Sequence, residues 1–339
     1  MHKVVYGIGA LIVLLVIVGL ALPRHTLVEV RTTISAHPAT VFALLNDLER
    51  TSLWDPLTDT DPNAKIVYSG PRRGVGATMT WDGSIIGTGM QVITESRPFE
   101  YVATTINPGA EGESRSWFDV AASNAGTGVA WTFETDYGYN LVGRFIALLI
   151  DDVIRRDHEQ SLAKLKDLAQ SLPDADFSDV EIEHIVVEAV TIAYLPTTAI
   201  PEPTAISEAM GDSYFEILSF IDAHDLYEAG APISITRSFD GGKLLFDAAI
   251  PVRGIGEDTP RDGSGVRIGE TYAGPVIRVK HVGPYRDLGL THRKIAAYLA
   301  ALGIGRAGAA WESYVSDPTK VAEGDLLTYV YYPIRAEMQ

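Results

Sequence analysis

The sequence predicts an α+β protein in three parts: an N-terminal transmembrane helix, a domain whose antiparallel sheet is followed by a long helix, and a domain of two βαββ repeats. Three observations support this prediction. Residues 4–22 are apolar and uncharged, residues 27–171 contain short strand-like segments before a long amphipathic stretch, and the last part of the chain contains an internal repeat.

The composition is that of a globular chain with more than one core. Of 339 residues, 46% are hydrophobic and 21% are charged, and this length favours two soluble domains. The lack of cysteine excludes disulfides, thiolate metal sites and cysteine nucleophiles. The net charge of −17 repels phosphate backbones, so we expect no nucleic-acid partner. We also expect no metal and no cofactor, because no Walker loop or H-E-x-x-H motif is present.

Residues 1–23 are predicted to form a transmembrane anchor. The uncharged run is close to the ~20 residues that span a bilayer as a helix. A cleaved signal peptide is the alternative, since "GLA" at 19–21 would serve as a cleavage site. Positive charges lie on both sides of the run, Lys3 before it and Arg24 and Arg31 after it. They therefore specify the orientation of the helix in the membrane only weakly. We expect a single-pass protein of the cytoplasmic membrane, with its domains outside the cytoplasm.

Residues 24–172 are predicted to form the first domain. The segment 27–36 alternates as a strand does, and "HPATVFALLNDLERTSLW" follows as an amphipathic helix with Pro38 in its first turn. Six strand-like segments come next, and Gly, Pro or Asn separates nearly all of them, as hairpin turns require. An apolar stripe from about residue 141 to residue 171 then predicts a long helix that packs on the sheet.

Three segments of this domain resemble the START/polyketide-cyclase-like superfamily, which is also called SRPBCC and has the helix-grip fold. They are "ISAHPATVFALLNDLERTSLWDP", "YSGPRRGVGATMTWDG" and "GTGMQVITESRPFEYV". The resemblance implies a deep, mostly apolar cavity between a curved sheet and the long helix, in a superfamily that ranges from enzymes to lipid carriers. Six aromatic residues are candidates to line it: Trp54, Trp81, Tyr101, Trp117, Trp131 and Phe133. Ordinary core packing is the alternative for each of them.

Residues 173–180 are a polar, acidic linker, and residues 181–339 form a second domain with an internal repeat. Each copy reads as strand, helix, strand, strand, and Pro251 and Pro333 close the two copies. One copy is too small to bury its own apolar face. Pairing two copies about a pseudo-twofold axis would give one sheet with helices on one side and a central groove, where a small ligand would sit.

The segments "VKHVGPYRDL", "WESYVSDP" and "LLTYVYYPI" resemble the GyrI-like small-molecule-binding domain, which is also the effector-binding part of AraC-type regulators. The resemblance implies that Glu312 lies on the groove floor, ringed by aromatic residues, and meets cationic or polar ligands. An exposed strand glutamate is the alternative. The expected companions of Glu312 are Tyr314, Tyr285 and one of Tyr329 or Tyr331, with His281 as a weaker candidate that a structural role also explains.

These observations favour a membrane-anchored protein that binds lipophilic or cationic small molecules, as a sensor, scavenger or carrier. We favour a binding protein over an enzyme. The rival is an enzyme that uses Glu312 as a base or nucleophile, or whose helix-grip cavity acts on a polyketide- or lipid-like substrate. A structural envelope protein with filled interiors is the third hypothesis. The oligomeric state stays open.

Overall fold

The computed structural model describes residues 2–55, 57–107, 114–256, 259, 262–263 and 265–336. Two compact units make up the chain. The first comprises Met1–Ser178 and Ala297–Gly303, and the second comprises Asp179–Ala296 and Ile304–Gln339. Each unit contains one antiparallel sheet with helices, which confirms the predicted α+β class.

The chain begins with helix α1, His2–Ala21. The C-terminal end of α1 is held by the buried Arg144, whose Nη1 donates to the carbonyl oxygens of Gly19, Leu20 and Leu22, each at 3.3 Å. Within the part of the chain that the structure describes, no helix has both the length and the apolar character that crossing a membrane requires. The predicted transmembrane anchor is therefore not supported by the structure.

A seven-stranded antiparallel sheet forms the first unit, in the order β1-β7-β6-β5-β4-β3-β2. Its strands are β1 His25–Ile34, β2 Lys65–Ser69, β3 Thr78–Gly83, β4 Gly87–Arg97, β5 Tyr101–Asn107, β6 Ser114–Ser123 and β7 Gly126–Asp136. Its helices are α2 Pro38–Leu45, α3 Leu48–Thr51, α4 Leu57–Thr60 and α5 Leu141–Ser171. The long helix α5 is the one that the apolar stripe predicts.

Local signals fix the helix ends in this unit. The carboxylate of Asp47 caps α3 by accepting the backbone N–H groups of Glu49 and Arg50. Asn140 caps α5 in the same way, accepting from the backbone of Gly143 at 2.9 Å. The inward stripe of α5 then packs on one face of the sheet, where the core includes Leu162, Leu165 and Trp131. This inner face, between sheet and α5, is where the helix-grip prediction places a cavity.

The second unit has a ten-stranded sheet in the order β13-β14-β9-β12-β11-β16-β17-β15-β8, with β10 paired to β12. Its strands are β8 Ile182–Val187, β9 Thr191–Ala199, β10 Tyr227–Glu228, β11 Ile233–Asp240, β12 Lys243–Arg253, β13 Asp262–Gly263, β14 Val266–Glu270, β15 Gly274–Val282, β16 Trp311–Tyr314 and β17 Leu327–Pro333. Its helices are α6 Pro203–Ala223 and α7 Leu288–Leu302, of which residues 297–302 are grouped with the first unit.

The strand order displays the internal repeat. The first copy contributes β9-β12-β11 and the second contributes β16-β17-β15, so the two copies mirror each other across the β11–β16 pair. This is the order that pairing about a pseudo-twofold axis produces. On the first copy, α6 covers a face that includes Ala193, Phe246 and Ala248, while Ile192 and Ala249 belong to a second apolar cluster with Trp311.

Candidate functional site

Glu312 lies on β16, the strand at the centre of the second sheet. It is paired with Ser234 on β11 and with Val330 on β17. Residues paired across antiparallel strands point to the same face. Contacts with α6 and α7 show that this is the face on which the helices lie, because Tyr314 Oη reaches Sδ of Met210 on α6 at 3.9 Å. Glu312 is thus placed between the sheet and both helices.

Both oxygens of the Glu312 carboxylate have partners. Nε2 of His292, on α7, lies 2.6 Å from Oε1, and the hydroxyl of Tyr314 donates to Oε2. The side chain of Glu312 is only 16% exposed. Hydrogen bonds of this kind are what allow a carboxylate to be buried. The acidic group is therefore held in a defined position by its own chain.

His292 extends this arrangement to a third strand residue. Its Nδ1 lies 2.8 Å from the hydroxyl oxygen of Tyr332 on β17. A neutral imidazole with its hydrogen on Nε2 would donate to Glu312 and accept from Tyr332, whereas an imidazolium would donate to both. The result is a continuous hydrogen-bonded chain of Tyr332, His292, Glu312 and Tyr314.

Tyrosine rings surround the carboxylate and stay protonated. Burial, followed by the Glu312 charge, raises the pKa of both Tyr314 and Tyr214. Burial also raises the pKa of Tyr332, with the cation of Arg306 opposing it. Tyr285 packs edge-on against Tyr314, with ring centroids 5.3 Å apart. The site therefore combines one largely buried carboxylate with neutral tyrosine rings.

The structure places Tyr314 against Glu312 and Tyr285 against Tyr314, but it places Tyr329 and Tyr331 elsewhere. Tyr329 pairs with Ser313, and Tyr331 pairs with Trp311, so both side chains point away from the Glu312 face. Tyr331 stacks on Trp311, with ring centroids 4.8 Å apart. The prediction that Tyr329 or Tyr331 lies beside Glu312 is therefore wrong. The strand register that decides this cannot be read from the sequence alone.

His281 has structural partners. Its Nδ1 lies 2.9 Å from Oγ1 of Thr291, and its Nε2 lies 3.3 Å from the carbonyl oxygen of Pro284. These bonds tie the end of β15 to the start of α7. Neither bond reaches Glu312, which agrees with the structural alternative for this residue.

Three further residues of the site are not among those that the sequence pattern indicates: His292, Tyr332 and Tyr214. His292 did carry a signal, because it lies in the apolar stripe of α7 with Leu288, Ile295 and Leu299. A polar residue inside an apolar stripe suggests a buried partner. Tyr332 had no such signal, since it is one of three tyrosines in "TYVYY" and the alternation does not say which of them face the helices.

The aromatic candidates of the first unit divide between its two faces. Trp81 belongs to the buried core, and Trp131 and Phe133 contact His158 of α5. Trp54 packs against Trp131, with ring centroids 5.9 Å apart. These four residues therefore lie inside the unit.

Tyr101 and Trp117 do not belong to this interior. Tyr101 pairs with Asp119, and Trp117 pairs with Ala103, which puts both on the face of the sheet opposite to Phe118 and Trp131. Arg97 lies over the Tyr101 ring at 4.5 Å, and Arg115 lies over the Trp117 ring at 5.5 Å. The prediction that they line the cavity is corrected, because the period of two in a strand sends neighbouring residues to opposite faces.

The interiors of the two units also differ in their titratable side chains. His158 is buried against Trp131, and burial lowers its pKa to about 4, so it is neutral at pH 7. Across the described ranges, no group of three or more His, Asp or Glu side chains is arranged to hold a metal ion. The first interior is thus mainly aromatic, with a carboxyl group, that of Asp55, whose pKa is raised by burial, while the second places the Glu312 carboxylate among tyrosine rings.

Two family models match the chain, one for each part. Residues 25–170 match the family described as polyketide cyclase / dehydrase and lipid transport. Residues 180–335 match the GyrI-like small molecule binding domain. Both resemblances drawn from the sequence are confirmed, in the predicted order. No curated protein is significantly similar to the chain.

Solved structures similar to the chain include the C-terminal domain of EcmrR, at 12% identity, with 47% of this chain and 99% of that one covered and a TM-score of 0.38. A hydrolase from Listeria innocua matches at 16% identity, with 46% and 92% covered and a TM-score of 0.34. A protein from Chromobacterium violaceum matches at 16% identity, with 42% and 96% covered and a TM-score of 0.33.

Proposed function

Because this chain joins a polyketide-cyclase-like segment to a GyrI-like small-molecule-binding segment, we propose that it is a small-molecule-binding protein whose second unit takes lipophilic cations at Glu312. The observation that carries the proposal is a buried carboxylate fixed by His292 and Tyr314 among neutral tyrosine rings. A role as sensor, scavenger or carrier belongs to the same proposal.

The chemistry of the site favours a cation with an apolar body. An opposite charge about 4 Å from a carboxylate gains ~4 kcal/mol at the effective dielectric constant of a partly buried protein site. Aromatic faces add cation–π attraction, which grows when the cation loses its water. Tyr285, Tyr314 and Tyr214 supply rings without a competing charge, since their raised pKa values keep them protonated. An inorganic cation would lose its hydration without gaining enough oxygen ligands.

The test compares two probes of the same shape, the cation phenyltrimethylammonium and the uncharged tert-butylbenzene. We expect calorimetric titration of the full chain to show at least ~10-fold tighter binding of the cation, a difference of about 1.4 kcal/mol. Glu312→Gln should remove this preference. The matched control is Glu208→Gln, which changes the net charge equally at an exposed position of α6.

Equal affinity of the wild type for the two probes would contradict the proposal. So would a Glu312→Gln variant that keeps the preference, because the selecting charge would then lie elsewhere. Loss of the preference in Glu208→Gln as well would show that the overall negative charge attracts the cation.

A hydrolase is the second candidate, and one observation favours it. Tyr332, His292 and Glu312 have the hydrogen-bonding order of a nucleophile, a base and a group that orients the base. In such a reaction the Tyr332 oxygen would attack an ester carbonyl and pass its proton to His292. His292 would return that proton to the departing alcohol as the ester C–O bond breaks, and water would then hydrolyse the acyl-tyrosine to release the acid and restore the Tyr332 hydroxyl. The test is p-nitrophenyl acetate: a burst of nitrophenol that Tyr332→Phe abolishes supports the hydrolase, and no turnover above buffer contradicts it.

We also propose that α1 attaches the protein to the cytoplasmic membrane, with the domains outside. Support comes from the uncharged run 4–22 and from exposed apolar side chains on α1 such as Ile12 and Leu14. Fractionation of cells that express the full chain, beside a chain starting at residue 24, tests the attachment. Protease treatment of intact cells tests the orientation. Full-length protein that stays in the supernatant after ultracentrifugation would contradict the proposed attachment to the membrane.

A further inference from the structure

Helix α1 exposes apolar side chains on all of its sides. Successive residues of a helix point about 100° apart, so residues 11–18 sample every direction around the axis. Each of them is between 39% and 58% exposed. A helix that packs on a protein has one apolar stripe, whereas a helix that is apolar all round is normally surrounded by apolar material. A second copy of the chain would cover one side of α1 only, so lipid is the partner that fits.

The last turn of α1 is fixed to the start of α5. Nη1 of the buried Arg144 binds three carbonyl oxygens at the end of α1, and its Nε donates to the carbonyl oxygen of Gly138 at 3.1 Å. A Cβ added at Gly19 would lie 3.1 Å from a ring carbon of Phe145 and 3.2 Å from Cβ of Leu141. The two helices therefore touch at this point, and the first turn of α5 lies beside the last turn of α1.

The start of α5 is apolar and exposed as well. Val142, Ile146 and Leu148 are each at least half exposed, and Tyr139, just before the helix, is 87% exposed. Residues 137–150 contain one charged side chain, that of Arg144, and it is buried. Exposed apolar side chains that adjoin one another mark a contact surface. With the end of α1 beside them, these residues extend the uncharged surface of α1 onto the first unit.

The outward side of α5 changes its character along the helix. Val142, Ile146 and Val153 lie on one side, because they are four and seven residues apart. Farther along the same side lie Arg156 and Gln160, which are both exposed. At 1.5 Å per residue, the apolar part extends about 16 Å from Val142 to Val153. The polar part suits water and the apolar part does not, which is the pattern of a helix at the boundary between lipid and water.

The residues around the junction of the two helices suit the interfacial layer of a bilayer. Tyrosine is enriched there, because its ring is apolar and its hydroxyl is polar, and Tyr139 lies next to the first turn of α5. The first charged residue after α1 is Arg24, which forms an ion pair with Asp136 at 2.7 Å. An ion pair is less costly to bring near lipid than a single charge.

We propose that residues 139–148, at the start of α5, form a second lipid-contacting element, which lies in the interface of the bilayer that takes up α1. This inference rests on the proposed membrane attachment of α1 and adds a surface of the first unit to it. Tyr139, Val142 and Ile146 contact the boundary between headgroups and acyl chains. The later, polar part of α5 faces water.

The test uses the lack of cysteine in the chain, which makes an introduced cysteine unique. Ile146→Cys in the full chain is labelled with the fluorophore nitrobenzoxadiazole and reconstituted into phosphatidylcholine vesicles, with or without a lipid that carries a nitroxide on its acyl chain. We expect the nitroxide to quench roughly half of the fluorescence or more, because an interfacial helix is buried ~5–10 Å into this layer. Val142→Cys should give the same result, and it decides if the circular dichroism melt shows that Ile146→Cys does not fold.

Two further labelled variants serve as controls. Gln160→Cys lies on the same side of α5 beyond its apolar part, and we expect quenching of less than about one tenth, because that part faces water. Leu14→Cys lies on α1 and reports whether α1 enters the bilayer, so we expect it to be quenched.

Quenching at Leu14→Cys but at neither α5 position would overturn the proposal and leave the attachment of α1 intact. An unquenched Leu14→Cys would overturn both. Equal quenching at Gln160→Cys and Ile146→Cys would show that the change of character along α5 does not mark the lipid boundary, which also overturns the proposal. An unquenched Ile146→Cys that forms disulfide-linked dimers on oxidation would assign the surface to a second copy of the chain.

Discussion

The two units of this protein each place a histidine among aromatic rings, but they give it different partners. In the first unit, His158 stacks on Trp131 at 3.7 Å, and its Nδ1 has no partner in the described structure. In the second unit, both nitrogens of His292 have partners, Glu312 at 2.6 Å and Tyr332 at 2.8 Å. The same side chain thus packs on an indole ring in one unit and supports a carboxylate in the other.

This difference teaches that aromatic content does not by itself define what an interior can bind. An aromatic cluster without charge offers dispersion and single hydrogen bonds, whereas the same rings around a carboxylate attract cations. The polar atom at the centre therefore decides the ligand class. We therefore expect substitution of the aromatic rings to lower the free energy of unfolding in both units. Substitution of a central polar atom should instead change the choice of ligand, or the pH dependence of stability, in one unit only.

The largest expected effect comes from removing the ring at the centre of the first cluster. Trp131→Ala should lower the free energy of unfolding of the first unit by about 3–5 kcal/mol, since it leaves a cavity and the Ser116 hydroxyl loses a partner. Urea titration followed by far-ultraviolet circular dichroism measures the loss. Trp117→Ala, on the outer face, is the matched control and should cost about 1 kcal/mol. Equal losses would mean that Trp131 is not at the centre of a packed interior.

The next effect concerns the pH dependence of the same unit. Burial lowers the pKa of His158 from 6.5 to about 4, so between these values the unfolded chain binds a proton that the folded chain does not. The free energy of unfolding should therefore fall as pH drops from 6.5 to 4, by roughly 3 kcal/mol in total. Above pH 6.5 both states are neutral at this residue, and its contribution is constant.

His158→Phe isolates this contribution, because it retains a ring against Trp131 and removes the titrating group. We expect the variant to lose less stability than the wild type between pH 6.5 and 4, by roughly the same 3 kcal/mol. Parallel wild-type and His158→Phe curves would show that folding leaves the pKa of His158 unchanged.

The sequence alone predicts most of the fold, and the reasons are physical. The stripe that includes Leu162 and Leu165 has the helical period, so it predicts α5 and its bounds. The internal repeat predicts the mirrored strand order around β11 and β16. These features are local or repeated, and for that reason they are visible without knowledge of which residues pair.

The candidate site was predictable only in part, because its residues come together through strand register and helix packing. Alternation groups Tyr329 with Tyr331 but does not say whether that pair or Tyr332 shares a face with Glu312. Alternation likewise does not say which of the neighbouring aromatic residues Trp117 and Phe118 faces the interior; in the structure it is Phe118. A one-residue change of register reverses every such assignment, so only the observed pairing could exclude Tyr329, Tyr331, Tyr101 and Trp117.

In the second unit, the comparison predicts that His292 competes with the ligand for the carboxylate. His292→Phe removes the donor to Oε1 of Glu312 and retains a ring of similar size. We expect the affinity for phenyltrimethylammonium to rise about 10-fold, as the loss of one competing charge-assisted hydrogen bond allows. Calorimetric titration measures the change, and the affinity for tert-butylbenzene serves as the control. A fall in cation affinity would show instead that His292 positions the carboxylate for its ligand.

The smallest expected effect comes from the end of the hydrogen-bonded chain. Tyr332→Phe keeps the ring beneath Arg306 and removes only the hydroxyl that meets Nδ1 of His292. Because one hydrogen bond is lost, the free energy of unfolding of the second unit should fall by about 1 kcal/mol. Tyr329→Phe, on the opposite face, should change it by less than about 0.5 kcal/mol. Binding of phenyltrimethylammonium should change little in either variant, because Glu312 keeps both of its own partners. A large loss of cation binding in Tyr332→Phe would mean that the orientation of His292, and through it the carboxylate, depends on this single hydroxyl.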